Sequence, residues 1–189
     1  GARTLAVGRQ LGGYAIAADL IDLVAYDPAA DAIFRPWLSE MRTKDFPNSN
    51  SNWRTLVQTH ERTANNWGTW AGASRIAASL YLGDTADVTR AAAVFRAWLG
   101  ERSYYPVGLP WGNYFQGTSN FSINTVDWIC DDVSAPASNW KAVNHPSPCM
   151  RSGINVDGAI VEDISRSGLF SWPPGATGML YSWSALSGV

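Results

Sequence analysis

The sequence predicts an all-α fold, and three observations lead to this prediction. Apolar residues in the first half of the chain recur at intervals close to 3.6 residues. Capping residues and glycines divide that half into helices spaced by roughly 30–40 residues, which is typical of stacked antiparallel pairs. With 46% apolar and only 16% charged residues, the chain can bury a core. We expect a single domain over residues 1–189.

Two helices are predicted before the polar loop at residues 46–52. The first, interrupted by two glycines, has an apolar stripe made of Leu5, Leu11, Tyr14, Ala18, Ile21 and Val24. Asp27 followed by Pro28 is a typical helix start, because the Asp side chain caps the first turn and proline fits its first position. The apolar side of this second helix carries Ile33, Trp37 and Met41.

Two more helices are predicted between that loop and residue 100. One covers residues 53–82, with a break near Thr63. It ends at Gly83, and Asp84 caps the helix that follows. One face of that helix carries Val88, Ala92, Phe95 and Leu99.

The second half of the chain has a different character. Residues 103–156 are rich in proline, glycine, asparagine and aromatic residues, which indicates a long, ordered and functional loop region. Cys130 and Cys149 both belong to it, and a disulfide between them would stabilise the loop by ~3 kcal/mol. Because such bridges are typical of exported proteins, we expect a secreted or periplasmic protein. A short helix over 157–168 and a last helix from about Met179 complete the predicted order.

Charge, length and motif content exclude several classes of function. A formal net charge of −2 provides no basic field for nucleic acid, and no run reaches the roughly 20 apolar residues of a membrane helix. The sequence contains no Walker loop, dinucleotide fingerprint, CxxC pair, HExxH or GxSxG. Both ends stop in the middle of a helical pattern, so we expect a portion of a longer protein. We expect it to be a monomer.

Aromatic residues are the unusual component of the composition. The chain holds 10 Trp, 7 Tyr and 6 Phe. An aromatic core would account for some of these side chains. Flat rings also stack on the C–H faces of sugars, so the excess of tryptophan favours a carbohydrate ligand.

Two segments carry polar residues suited to binding an acidic sugar. Residues 65–70 (Asn-Asn-Trp-Gly-Thr-Trp) interrupt a helix, and an Asn amide in a cleft can donate to a carboxylate or a hydroxyl. Within residues 157–166, Arg166 could hold a carboxylate in a bidentate pair. Glu162 or Asp163 could orient that arginine from behind.

Three further side chains could transfer protons. Tyr181 could act as a base, or as an acid while it is protonated. His60 and His145 are the only histidines, and they are too few for a three-His zinc site, although a site with mixed ligands stays open.

The order of these motifs resembles the alginate lyases, a polysaccharide lyase family built on an incomplete α/α toroid. That family has an Asn-Asn-His stretch, then an Asp-Gly segment that closes in an acidic residue and Arg, and then a Tyr. Here Trp67 stands where the family has histidine, and an insertion with Trp172 lengthens the spacing from Arg166 to Tyr181. The resemblance covers roughly residues 55–186.

The resemblance implies cleavage of a 4-linked uronic acid polysaccharide, alginate or glucuronan-like, by β-elimination, with no metal or organic cofactor. Asn66, with Asn65 beside it, would neutralise the sugar carboxylate, and Arg166 would assist. Tyr181 would be base, acid or both. His145 would be the second acid or base, or a carboxylate contact, with His60 as its alternative. The walls on which sugars stack would be Trp67, Trp70, Trp111 and Trp172.

Two alternatives to a lyase stay open. A glycoside hydrolase on a related α/α barrel would need a pair of carboxylates, and no spacing singles out two among Glu61, Asp127, Asp131, Asp132, Glu162 and Asp163. A tryptophan-rich carbohydrate-binding module would bind a polysaccharide without forming any product.

Overall fold

The computed structural model describes residues 2–47, 54–62, 65–98, 150–151, 153–155, 163 and 175–188. These residues are helical apart from turns and one short hairpin, which confirms the all-α class. The helices are α1 Ala2–Leu20, α2 Leu23–Tyr26, α3 Pro28–Thr43, α4 Leu56–Arg62, α5 Asn66–Leu82, α6 Thr85–Trp98 and α7 Ala176–Leu186. The hairpin pairs β1 (Met150–Arg151) with β2 (Ile154–Asn155) in antiparallel register.

Helix α5 is the centre of the described structure, because α1, α3, α4, α6 and α7 all pack against it. Its contact with α1 is close. A Cβ atom added to Gly8 would lie 3.1 Å from the backbone nitrogen of Ala71. Ser74 joins the two helices, since its hydroxyl donates to the carbonyl of Gly8 at 2.6 Å and accepts from the amide of Gly12 at 2.8 Å. The apolar core beside this contact consists of Leu11, Ala15, Leu38, Leu56, Ala71 and Ala78.

The predicted stripe of the first helix is wrong at three of its six positions. Leu11 and Ala18 are buried, but Tyr14, Ile21 and Val24 are more than half exposed. The close approach to α5 selects the face with the small side chains, so bulky residues are turned outward. Helix α1 also ends at Leu20, where a turn with Asp22 at φ 50° leads into α2.

The start of α3 confirms the predicted cap, but its apolar side is rotated. Asp27 accepts a hydrogen bond from the amide of Ala30 at 3.0 Å, with proline at the first helical position. The prediction that Ile33 lies on the packed side is wrong, because its side chain is 75% exposed. Leu38 and the carboxylate of Asp31 are buried instead, since Asp31 accepts a hydrogen bond from the Tyr81 hydroxyl of α5.

The predicted helix over 53–82 is divided into α4 and α5, with the break where the sequence suggested it. The turn after α5 also follows the prediction. Gly83 has a φ of 75°, which only glycine adopts readily, and Asp84 accepts from the amide of Asp87 at 3.1 Å. In α6 the fully buried side chains are Ala91 and Val94, one position before the predicted face.

The last helix, α7, begins at Ala176, three residues before the predicted start. The predicted helix over 157–168 lies outside the described residues except for Asp163, and most of the aromatic loop region does too. The incomplete α/α toroid and the single domain over 1–189 stay predictions. None of the helices in the described part of the chain has the length and apolar character that a membrane crossing requires.

Candidate functional site

The start of α5 holds the paired asparagines of the 65–70 motif. Asn65 has extended backbone, and its side-chain oxygen accepts hydrogen bonds from the amides of Trp67 at 2.9 Å and Gly68 at 3.2 Å. It is therefore the N-cap of α5, which explains why an amide side chain interrupts the helical pattern here. The Asn65 carbonyl accepts from Thr69 at 3.0 Å and closes the first helical turn.

Asn66, the first residue of α5, has a different environment. Only 4% of the residue is exposed. Its backbone amide donates to Oδ2 of Asp163 at 2.6 Å, and its carbonyl accepts from the Thr69 hydroxyl at 3.1 Å. Within the described ranges, no group donates a hydrogen bond to its buried side-chain oxygen, Oδ1. A buried amide oxygen without a hydrogen-bond donor destabilises the fold, and a ligand that donated to this oxygen would remove that penalty. The carboxamide of Asn66 is therefore suited to binding a ligand.

The two tryptophans of the motif lie half-buried on the same helix. Trp70 is one turn beyond Asn66, so both project from one side of α5. The Arg9 guanidinium of α1 lies over the Trp70 ring, with Cζ 5.9 Å from the ring centroid. The indole Nε1 of Trp70 is buried, and none of the described residues accepts its hydrogen bond. An exposed cation and a ring face thus lie beside the start of α5.

Helix α7 brings the segment that contains Tyr181 to α5. Ala185 is fully buried, and a Cβ atom added to Gly188 would lie 2.7 Å from the backbone nitrogen of Trp70. The end of this segment therefore touches the first turns of α5. Tyr181 is half-buried and precedes Gly188 by about 10 Å of helix rise. In the same helix, the Ser182 hydroxyl is buried and has no hydrogen-bond partner within the described ranges.

A largely buried ion-pair network joins the middle of α5 to α4 and α6. Arg75 of α5 is 1% exposed and donates to Glu61 of α4 at 3.0 Å and to Asp87 of α6 at 2.5–3.1 Å. Arg90 of α6 also donates to Glu61, at 2.5 and 2.9 Å. These bonds tie the last turn of α4 to α5 and α6. They therefore hold α4, the helix that precedes the asparagine motif, against α5 and α6.

The network also sets the protonation of its members. Burial alone would raise the pKa of Glu61, but the hydrogen bond from Arg90 and the charge of Arg75 outweigh it and lower that pKa. Burial would likewise raise the pKa of Asp87, yet the bonds from Arg75 and Ser79 lower it to about 2. Both carboxylates are thus ionised at neutral pH.

His60 is part of this network rather than of an open cleft. Its ring is completely buried, 4.7 Å from the Phe95 ring by centroids, and its Nδ1 is 3.5 Å from Nη1 of Arg75. Burial, reinforced by the charge of Arg75, lowers the pKa of His60 well below its ordinary value. The neutral imidazole therefore packs inside, where a polysaccharide does not reach it without displacement of α5 or α6.

The structure describes six of the predicted site residues. Asn65, Asn66, Trp67 and Trp70 lie together at the start of α5, and Tyr181 lies on α7. His60 packs farther along α5, beside Gly72 and Arg75. Outside the described residues are Trp111, Cys130, His145, Cys149, Arg166 and Trp172. Within the described ranges, no three His, Cys, Asp or Glu side chains are grouped as a metal site would need.

A family comparison covers the part of the chain that builds this site. Residues 12–102 match the family model described as alginate lyase. Over this range the chain is similar to the alginate lyases. The matched range contains both asparagines, the two tryptophans after them and the Arg75 network. It ends before the 157–166 segment and before Tyr181. No curated protein and no solved structure matches the chain.

Three features of the candidate site escaped the sequence analysis. Asp163, which the sequence offered with Glu162 as a partner of Arg166, binds the backbone of Asn66, 97 residues away in the chain. Its predicted pairing with Arg166 lies outside the described residues. Only its place in the second motif pointed to it. The Arg75 network gave no signal, because Glu61, Arg75 and Asp87 have no distinctive spacing. Arg9 was also missed, since a single arginine on a predicted helix is an ordinary surface residue.

Proposed function

We propose that this chain belongs to a polysaccharide lyase that cleaves a 4-linked uronic acid polymer, alginate or glucuronan-like, by β-elimination. One observation carries the proposal. The alginate lyase match includes the start of α5, where the buried carboxamide of Asn66 has an oxygen that no described group satisfies. The same match supports the incomplete α/α toroid that we propose as the architecture.

The chemistry requires neutralisation of the sugar carboxylate. A base removes the proton from C5, the C4–O bond breaks, a C4–C5 double bond forms, and the leaving oxygen takes up a proton. Negative charge moves onto the carboxylate in the transition state, so preorganised donors there accelerate the reaction. In our proposal the Asn66 Nδ2 group donates to the carboxylate while a sugar hydroxyl donates to Oδ1. Asn65 supports this arrangement by capping the helix.

Arg166 is the proposed second donor to the carboxylate, and chain length supports this role. Arg166 follows Asp163 by three residues, and three residues of extended chain span at most about 11 Å. Asp163 contacts the Asn66 amide. A guanidinium attached so close to that contact can reach a carboxylate bound at Asn66, where it would form a bidentate pair.

Tyr181 is the proposed base, acid or both. The packing of α7 against α5 supports it, since this brings the helix with Tyr181 next to the helix with Asn66. His145 stays our proposal for the second acid or base, or for a carboxylate contact. Trp67 and Trp70, with Trp111 and Trp172, are proposed to stack on the sugars. No step in this scheme requires a metal or an organic cofactor.

The observed carboxylates do not favour a hydrolase. Glu61 is bound by two arginines and its pKa is lowered, whereas a general acid needs a raised pKa. Asp163 is fully buried and accepts from a backbone amide. Neither of these two candidates has the environment of a glycosidase acid.

The experiment is a panel of polymannuronate, polyguluronate, glucuronan and a neutral glucan, each incubated with the protein. A lyase produces ultraviolet absorbance from the new conjugated double bond, and Asn66→Ala should lower kcat by about 10²–10³. Asn155→Ala, at an exposed asparagine, is the matched control and should retain the rate. Reducing ends without absorbance would indicate a hydrolase. Binding that persists in Asn66→Ala without any product would indicate a binding module.

A further inference from the structure

The backbone amide of Asn66 forms a buried hydrogen bond with the carboxylate of Asp163, which lies far away in the sequence. Asp163 is fully buried, and its Oδ2 accepts from the Asn66 backbone amide at 2.6 Å. A hydrogen bond from an amide to an ionised carboxylate is among the stronger kinds in proteins. The carboxylate also lies at the positive end of the α5 dipole, which stabilises it further.

Two residues, Asn65 and Asp163, supply the hydrogen-bond acceptors for the first backbone amides of α5. The first amides of a helix have no acceptor within the helix. Asn65 supplies acceptors for the amides of Trp67, Gly68 and Thr69, and Asp163 supplies one for Asn66. Every amide of this first turn is therefore satisfied. None of them uses the carboxamide of Asn66.

Without Asp163, the Asn66 amide would be buried with no acceptor. Asn side chains readily turn back to bond nearby backbone groups, and at a helix start they do so as caps. The carboxamide of Asn66 could then be drawn to the helix end. We infer that Asp163 is a positioning residue, which binds the Asn66 amide so that the Asn66 carboxamide stays available to the substrate carboxylate. This inference rests on the proposed function.

The test is a double-mutant cycle of Asp163→Ala and Asn66→Ala, measured as kcat and KM on the polyuronate that the wild-type protein cleaves. If Asp163 acts through Asn66, Asp163→Ala alone lowers kcat by about 10²-fold, because a catalytic group displaced by about 1 Å loses that much. In the Asn66→Ala background it should change kcat less than twofold. Equal losses in both backgrounds would overturn the inference and leave the proposed function intact.

Two further variants separate positioning from general stability. Asp163→Asn keeps an acceptor oxygen and should restore most of the kcat lost in Asp163→Ala. Asp84→Ala removes the same kind of bond, a carboxylate that accepts from a helix amide, at the start of α6, together with an ion pair to Arg42. It should lower the urea midpoint as Asp163→Ala does, with kcat within twofold of wild type. A loss of kcat in Asp84→Ala that matches Asp163→Ala would assign both effects to stability.

A readout without substrate keeps the inference testable if no polyuronate is cleaved. In nuclear magnetic resonance spectra, the backbone amide proton of Asn66 should lie downfield in the wild type and move upfield in Asp163→Ala. The side-chain NH2 signals of Asn66 should move as well, because the carboxamide changes partner. Unchanged side-chain signals would overturn the inference. Absence of product from every polyuronate would overturn only the proposed function.

Discussion

Nη2 of Arg75 lies 2.5 Å from Oδ1 of Asp87, in an ion pair that joins α5 to α6. The same guanidinium binds Glu61 at 3.0 Å, so one buried cation holds three helices together. Ser79 donates to Asp87 as well, at 2.7 Å. Glu61 lies in the last turn of α4, four residues before Asn65. The network therefore holds the chain segment that leads into the asparagine motif against α5.

Arg75→Met should destabilise the fold by about 3–5 kcal/mol, because it removes the buried cation shared by the buried Glu61 and the half-buried Asp87. Urea denaturation at pH 7 measures the loss. The matched control is Arg90→Met, which removes a cation from the same Glu61 at a side chain that is 47% exposed. We expect a loss of no more than about 1 kcal/mol there. Equal losses of unfolding free energy in the two variants would show that the contribution of these arginines to stability does not depend on their burial.

The buried His60 predicts a dependence of stability on pH. The pKa of His60 is lowered in the folded state. Between the folded and the unfolded pKa, the unfolded chain therefore binds a proton at His60 that the folded chain does not bind. The free energy of unfolding is therefore unaffected by the titration of this histidine above the unfolded pKa of about 6.5, and it decreases as the pH falls below that value. The slope should reach at most about 1.4 kcal/mol per pH unit. Urea midpoints at pH 7, 6 and 5 measure it.

His60→Gln is the variant that isolates this effect. Glutamine does not titrate, so its free energy of unfolding should change less than that of the wild type between pH 7 and pH 5. The variant will be less stable at pH 7, and only the slope is compared. A slope equal to that of the wild type would show that another group is responsible for the acid sensitivity.

Gly72 should not tolerate a methyl group. A Cβ atom there would lie 2.6 Å from Nε2 of His60 and 2.6 Å from Cζ of Phe95, both of them packed side chains. Gly72→Ala should therefore destabilise the protein by about 1–3 kcal/mol. Gly13→Ala is the helical control, since nothing lies within 4 Å of its added Cβ. It should stabilise α1 by about 0.5–1 kcal/mol, and thermal unfolding distinguishes the two signs.

If Tyr181 is the proton-transfer group that we propose, Tyr181→Phe should lower kcat on the cleaved polyuronate by about 10²–10⁴, with little change in KM, because it removes only the hydroxyl. Initial rates of ultraviolet absorbance give both constants. Tyr14→Phe removes the same hydroxyl from a side chain that is 58% exposed on α1. That control should keep the wild-type rate. A Tyr181→Phe protein that is as active as the control would remove Tyr181 from the mechanism.

Local signals predicted the helix boundaries well, and predicted the packed faces poorly. The caps at Asp27 and Asp84 and the left-handed Gly83 depend on neighbouring residues only, so the sequence contains all the information they need. Which face of α1 is buried depends on its partner. The small side chains of α5 favour a close approach, and Tyr14 of α1 is exposed as a result.

The same division holds for the candidate site. The sequence by itself determined that the chain is helical and where its caps lie. Its paired asparagines also pointed to the alginate lyases, because motifs and caps are local patterns of residue type. Only the tertiary structure decided that Asp163 meets the amide of Asn66 and that Arg75 joins Glu61 to Asp87. Contacts between residues far apart in the chain are set by how helices pack, and no local pattern encodes that packing.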